Sequence, residues 1–87
     1  MERDPLLSER QQTHGSFEMN AIISQRLKKN LRMVHPHYDN LSDVHKEAID
    51  MICLKLSRIM SGQASFHDHW DDIAGYAKLG SEGCALI

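Results

Sequence analysis

Two segments of the chain place a pair of carboxylates three residues apart, a spacing that can hold a metal ion. The first pair is Glu47 and Asp50, and the second is Asp68 and Asp71, with Asp72 next to it. Residues three apart lie on the same face of a helix, so both side chains of a pair can contact one partner. Two such faces brought together would form a cluster of four carboxylates, which cannot stay ionised without a counter-charge.

Magnesium or manganese is the counter-ion that fits such a cluster, because hard divalent cations take oxygen ligands and hold phosphate-bearing substrates. The predicted metal ligands are Glu47, Asp50, Asp68, Asp71 and Asp72. Lys55 and Arg58 would then contact the phosphates of a substrate. The basic side of the preceding helix, which includes Lys28, is either solvated or faces the same phosphates.

The same charged residues also have structural interpretations, because acid pairs on helices are usually solvated or salt-bridged. Arg58 could pair with Asp71 or Asp72 and fix the last helix in place, and Lys55 could form a similar ion pair. Asp68 lies at a helix start and could be a cap. In that case the second acid pair would be Asp68 with Asp72, at a spacing of four.

The central element predicted to position these residues is a helix over residues 41–62, the longest helical pattern in the chain. Ser42 is its predicted N-terminal cap, and Gly62 is its predicted end. At 100° per residue, its apolar residues spread over one side of the helix. The other side carries Glu47, Asp50, Leu54 and Arg58.

The segment before the central helix predicts a second long helix. It begins at Phe17, where Ser16 can cap it, and the His35–Pro36 pair ends it. Its apolar stripe consists of Met19, Ile23, Leu27, Leu31 and Val34. Ahead of this helix, Asp4 caps a short first helix, and residues 14–16 form a turn.

The segment after the central helix predicts a shorter helix from His67 to about Leu79. Its predicted apolar face consists of Trp70, Ile73, Ala74 and Ala77. The opposite face carries Asp68, Asp71, Asp72 and Gly75. A glycine in mid-helix costs about 1 kcal/mol relative to alanine, so we expect a backbone or a ligand to approach Gly75 closely.

The composition limits the fold to one small all-α domain. The 87 residues are 41% hydrophobic but only 6% aromatic, which favours helices packed through aliphatic side chains over a β-sandwich. We predict a bundle of two long helices and a shorter C-terminal one, with residues 1–15 as an N-terminal arm and 80–87 as a tail. A three-helix chain of this size buries little surface alone, so we expect a homodimer to complete the bundle.

Charge and hydropathy exclude some classes of partner. The net charge of −2 argues against extensive binding of nucleic acid. No apolar run approaches the roughly 20 residues that span a bilayer, and no signal peptide is evident, so we expect a cytoplasmic protein without a membrane partner. Cys53 lies within the apolar helix pattern, where a reduced thiol behaves as a small hydrophobe.

Three blocks of the chain, THGSFEMNA, KEAIDMICLKLSRIMSG and DHWDDIAGYAKLG, resemble a family of small phage and prophage proteins of unknown function. Its members share a His-Gly turn followed by Asn, a Leu-Lys-x-x-Arg-Ile helix and an Asp-x-x-x-Asp-Ile-x-Gly-Tyr ending. The blocks cover close to half of the residues. The resemblance implies a bacterial host cytoplasm and makes His14 and Asn20 candidate substrate-binding residues, although His14 could instead only shape the turn.

The paired acid-x-x-acid helices resemble the all-α nucleotide pyrophosphatases of the MazG and dimeric dUTPase group. Those enzymes carry Glu-x-x-Glu followed by Glu-x-x-Asp on the next helix, bind Mg²⁺, and cleave a nucleoside triphosphate to the monophosphate and pyrophosphate. The resemblance implies a MazG-like nucleotide-binding protein with this Mg²⁺-dependent hydrolase activity, in which Glu47 and Asp50 are catalytic.

A non-enzymatic function is the alternative. The chain is short for that enzyme group, and Asp50, Asp68 and Asp71 stand where the enzymes mostly have glutamate. These departures favour a phage accessory protein that binds and inhibits a host factor, such as a defence or transcription component. The two acid pairs favour the enzyme.

Overall fold

The computed structural model describes residues 5–34 and 36–86, and the all-α prediction is confirmed for them, with no strand in these ranges. Four α-helices are present: α1 (Pro5–His14), α2 (Phe17–Val34), α3 (Asp43–Ser61) and α4 (His67–Gly83). Short 3₁₀ helices cover Pro36–Asn40 and Cys84–Leu86. The predicted cap Asp4 and the predicted stop residue His35 lie outside the described residues, as does the last residue of the predicted tail.

The predicted starts of the two long helices are confirmed by their caps. The Ser16 hydroxyl accepts a hydrogen bond from the backbone N–H of Met19 at 3.1 Å, and the Ser42 hydroxyl accepts one from His45 at 3.2 Å. Each bond satisfies one of the backbone donors that a helix start leaves unpaired. Gly62 ends α3 as predicted.

The end of α4 differs from the prediction, because the helix continues through Gly80 to Gly83. Both glycines pack against α3. A Cβ atom at Gly80 would lie 3.7 Å from the Cβ of Ala48, and one at Gly83 would lie 2.7 Å from a methyl group of Val44. The glycines therefore allow close helix packing here and do not stop the helix.

The central helix α3 organises the fold, because α2 and α4 both pack along it and pack little on each other. Both neighbours run antiparallel to α3, since Ser61 at its end meets Asn20 near the start of α2, and Val44 near its start meets Gly83 of α4. The hydrophobic core of this layer is small. Its buried members are Tyr38, Ala48, Cys53 and Ile59.

The buried faces of α2 and α4 are more polar than predicted. On α2, Asn20 and Ser24 are buried, whereas Val34 of the predicted apolar stripe is 85% exposed. On α4, His69 is 1% exposed, whereas Trp70 of the predicted apolar face is 52% exposed. Asn20 and His69 are hydrogen-bonded to other helices, and such bonds offset the cost of burying polar groups. None of the helices in the described ranges is long and apolar enough to cross a membrane.

Gly62, which follows the end of α3, is tightly surrounded by other atoms, whereas Gly75 in α4 faces open space. A Cβ atom at Gly62 would lie 2.4 Å from the carbonyl oxygen of Thr13, which no real contact tolerates. At Gly75, no atom of another element lies within 4 Å of the Cβ position, so no backbone of the described chain makes the predicted close approach, and the approach of a ligand stays a prediction.

Alanine substitutions at these two glycines should change stability in opposite directions. Gly75→Ala should raise the free energy of unfolding by about 1 kcal/mol, because alanine is the better helix former. Gly62→Ala should lower it by about 2 kcal/mol, because the Thr13 backbone would have to move. Urea unfolding followed by circular dichroism measures both changes, and two shifts of the same sign would contradict the described packing.

Candidate functional site

A groove of about 720 Å³ runs between α1, α2 and α3, and we call it the α2–α3 groove. Its volume falls within the range of roughly 300–1,000 Å³ that is usual for small-molecule sites. Apolar atoms come from Phe17, Ala21, Met51 and Leu54. Charged side chains come from Arg10, Lys28, Glu47, Asp50 and Arg58.

Most of the residues predicted for catalysis and substrate binding line this groove. They are Glu47, Asp50, Arg58, His14 and Asn20. The sequence pattern explains Glu47, Asp50 and Arg58, because the predicted polar side of the central helix faces the groove. Lys55 is the exception, because it does not line the groove.

At one end of the groove, Asp50 is held by a tyrosine of the first 3₁₀ helix. The Tyr38 side chain is 6% exposed, and its hydroxyl donates a hydrogen bond to the Asp50 carboxylate at 2.5 Å. This bond raises the pKa of the Tyr38 phenol, because it stabilises the protonated hydroxyl. The guanidinium carbon of Arg32 lies 5.0 Å from the centre of the same ring. Glu47, almost one turn earlier on α3, is exposed.

The other end of the groove contains Arg58 and Arg10, and neither forms an ion pair with a carboxylate of the described residues. The Nε atom of Arg58 is buried and makes no hydrogen bond within the described ranges. Neither Arg58 nor Arg10 has a carboxylate within 4 Å in those ranges. Burial and the charge of Arg10 lower the pKa of Arg58. Burial and the two arginines likewise lower the pKa of His14.

The His-Gly turn joins α1 to the connection between α3 and α4. The carbonyl oxygen of Thr13 accepts a hydrogen bond from the backbone N–H of Gln63 at 2.9 Å and another from Nε2 of His69 at 2.7 Å. Because a carbonyl only accepts, Nε2 of His69 carries the proton. The rings of His14, Phe66 and His69 pack together with centroids 4.8 to 5.6 Å apart.

Asn20 links the same turn to the end of α3. Its amide nitrogen donates to the carbonyl of His14 at 2.7 Å, and its amide oxygen accepts from the Ser61 hydroxyl at 2.5 Å. Gly15 has a φ of +78°, and a Cβ atom there would meet Ser61. The His-Gly turn followed by Asn therefore has a structural role. We call this cluster the α1 junction; it consists of Thr13, His14, Gly15, Asn20, Ser61, Gly62, Gln63 and His69.

The acids of α4 and Lys55 lie outside the groove. Lys55 is 8% exposed, and its ammonium group lies 2.9 Å from the Asp72 carboxylate, which lowers the pKa of that carboxyl. The ion pair that was predicted for Arg58 with Asp72 is thus made by Lys55. Asp68 and Asp71 are exposed. Phe66, not Asp68, occupies the cap position of α4, and no side chain caps that helix.

The register of α3 and α4 separates the two predicted acid pairs within one chain. Since Lys55 meets Asp72 and Ala48 meets Gly80, the level of Asp50 on α4 lies near residue 77. Asp71 is about six residues from that level, which is roughly 9 Å along the helix axis. No group of three or more possible metal ligands occurs among the described residues. The predicted cluster of four carboxylates does not form in a single chain.

The comparisons with known proteins place the chain in a family. A family model described as a domain of unknown function, DUF6378, matches residues 3–83. The chain belongs to the DUF6378 family. The matched range includes all four helices, the α2–α3 groove and the α1 junction, so all of them lie within the matched domain of this chain. No curated protein and no solved structure matches the chain.

Sequence reasoning missed three residues that shape the site. The first is Tyr38, between the two long helices, where an aromatic residue in a polar segment is a signal for burial. The second is His69, whose burial is hidden by the neighbouring Trp70, the stronger hydrophobic signal. Arg10 gave no signal, because its place in the groove depends on how the α1 junction folds.

The lowered pKa of His14 predicts a loss of stability in mild acid. Near and below pH 6.5, the usual pKa of histidine, His14 binds a proton more readily in the unfolded chain than in the folded chain. The free energy of unfolding therefore falls as the pH drops through 6.5. The decrease in Tm between pH 7.5 and 5.5 should therefore be smaller in His14→Gln than in the wild type. His67→Gln, at an exposed position, is the control. An unchanged decrease in His14→Gln would contradict the prediction.

Proposed function

We propose that the chain is a MazG-like nucleotide-binding protein that is encoded by a phage and acts in the host cytoplasm. Its α2–α3 groove would bind a nucleoside triphosphate and cleave it, with Mg²⁺ or Mn²⁺, to the monophosphate and pyrophosphate. The observation that carries the proposal is the content of one groove: an acid pair, Glu47 and Asp50, together with two arginines that pair with no carboxylate of residues 5–34 and 36–86.

The groove suits an amphipathic anion. Guanidinium groups bind phosphate oxygens through paired hydrogen bonds, and Arg10 and Arg58 offer two such groups. Phe17, which is 88% exposed at the wall of the groove, offers a ring on which a base can stack. Charged and apolar walls in one groove match the phosphates and the base of a nucleotide.

The acid pair fits Mg²⁺ without further protein ligands, because this ion is often bound by one or two carboxylates together with substrate phosphates and waters. Tyr38 fixes the orientation of Asp50, as hydrogen-bond donors commonly do for metal-binding carboxylates. A bound ion would supply charge neutralisation and an activated water. Glu47 and Asp50 would hold this ion, and Arg58 would stabilise the charge that develops on the departing pyrophosphate.

The proposal includes a homodimer, because the chain exposes more surface than a compact monomer. A monomeric protein of 10.0 kDa exposes about 5,200 Å², whereas this chain exposes 6487 Å². The difference exceeds the roughly 800 Å² that each partner buries in a standard interface. The radius of gyration is 14.8 Å, against about 12 Å for a compact chain of this length. A second copy could also bring Asp68 and Asp71 to the groove of its partner.

A second candidate function is the phage accessory protein that binds and inhibits a host factor. The observation that favours it is the exposure of large apolar side chains away from the groove. Met60 is 74% exposed and Trp70 is 52% exposed, and exposed apolar surface of this kind often marks a protein-binding site.

A measurement of pyrophosphate release tests the proposed hydrolase activity directly. The protein, incubated with the four ribonucleoside and four deoxynucleoside triphosphates plus Mg²⁺ or Mn²⁺, should release pyrophosphate from at least one of them. Asp50→Asn should lower kcat about 100-fold or more with the fold retained, because it removes a charge from the metal-binding pair. Glu18→Gln, an exposed acid outside the groove, should leave kcat unchanged. No turnover together with no metal-dependent rise in Tm would exclude the enzyme.

Light scattering tests the dimer. The mass in solution should be twice the 10.0 kDa of the chain, and the Tm should rise with protein concentration, because association stabilises only the folded state. A monomeric mass and a constant Tm across a hundredfold range of concentration would contradict the homodimer. A retained hydrolase activity in that case would mean that one chain is sufficient for catalysis.

A further inference from the structure

Arg58 keeps an unused hydrogen-bond donor in a buried position. Its Nε atom has no partner within the described ranges, and the nearby carboxylate of Asp72 is bonded to Lys55 at 2.9 Å. A buried donor without a partner costs about 1–3 kcal/mol, and more when the group is charged. Arg58 also lines the α2–α3 groove, and no carboxylate of the described residues pairs with it, so an anion in the groove can bind its guanidinium without a competing acid.

Arg10 adds a second positive charge at the same end of the groove. Its charge disfavours the protonated form of Arg58, so the two side chains repel each other. The hydrogen bonds of Thr13 in the α1 junction fix the end of α1, and Arg10 lies about one turn before that end. The fold thus holds two like charges together, and an anion between them would relieve the repulsion.

The anion should be short, because the other end of the groove is acidic. Eight residues, about 12 Å along the helix axis, separate Asp50 from Arg58 on α3. A single phosphate cannot contact both ends, whereas a polyphosphate chain can extend from one to the other. A long polyanion such as RNA would be repelled by Glu47 and Asp50.

We propose that Arg10 and Arg58 form an anion subsite for the terminal phosphate of a polyphosphate chain, so that the groove selects nucleoside triphosphates over monophosphates. This inference rests on the proposed function, because it concerns the ligand of the same groove. His14 also lines this end of the groove, and burial and the two arginines lower its pKa, so it adds little positive charge of its own at neutral pH.

The probes are inorganic triphosphate, ATP and AMP, each titrated into the full chain with Mg²⁺ and followed by calorimetry. The wild type should bind inorganic triphosphate and should bind ATP at least about tenfold more tightly than AMP. Arg58→Gln should weaken triphosphate and ATP binding about tenfold or more while leaving AMP binding unchanged. The affinity of Arg58→Lys for triphosphate and ATP should lie between those of the wild type and Arg58→Gln, because lysine keeps the charge but loses the paired donors.

Two further variants make the test specific. Arg10→Gln should repeat the effect of Arg58→Gln, and it serves as the test if Arg58→Gln fails to fold, because Arg10 is exposed and has no buried atom to leave unpaired. Arg26→Gln removes an exposed arginine of α2 that does not line the groove, and it should change none of the affinities.

The outcomes separate this inference from the proposed function. Equal affinity for ATP and AMP, or an equal loss in Arg26→Gln and Arg58→Gln, would overturn the subsite even if nucleotides bind and are hydrolysed. Binding of inorganic triphosphate that depends on Arg58, without binding or turnover of any nucleotide, would support the subsite and overturn the nucleotide-binding function. No binding of any of the three probes would overturn both.

Discussion

The arrangement of the four helices depends on the carbonyl oxygen of Thr13. It accepts one hydrogen bond from Gln63, between α3 and α4, and one from His69 of α4. A Cβ atom at Gly62 would lie 2.4 Å from this oxygen, so the approach requires a residue without a side chain. A carbonyl that has lost water must find such donors inside the protein. This requirement keeps α1 against α3, where Arg10 can form one wall of the α2–α3 groove.

Helical geometry then places Lys55 and Arg58 of α3 in different environments. Lys55 and Arg58 are three residues apart, so their side chains differ by about 60° around the helix axis. That angle places Lys55 against α4, where Asp72 neutralises it, and places Arg58 in the groove. One cation is used to join two helices and the other keeps a free donor. Asp50, held by Tyr38 in the groove, and Ala48, which packs on α4, are two residues apart and therefore lie about 160° apart around the helix axis.

The sequence was sufficient for features that one helix determines alone. The caps Ser16 and Ser42 and the polar side of α3 follow from local hydrogen bonding and from the 3.6-residue period. The sequence was insufficient to predict how far α4 is shifted along α3. The register of α3 and α4 is fixed by close contacts at Gly80 and Gly83, which periodicity does not encode. For this reason the spacing within each acid pair was correctly placed on a helix face, while the meeting of the two pairs was not.

Several residues that break the ordinary rule of an apolar interior lie at the site. Asn20 and His69 are buried at the α1 junction, and Phe17 is exposed at the groove wall. Local rules tend to fail at functional or strained sites, because selection there acts on something other than stability. A small core, an unpaired buried donor on Arg58 and exposed apolar side chains all disfavour an isolated chain. Ligand binding and association would relieve these costs, so we expect the stability of this fold and the occupancy of its groove to be coupled.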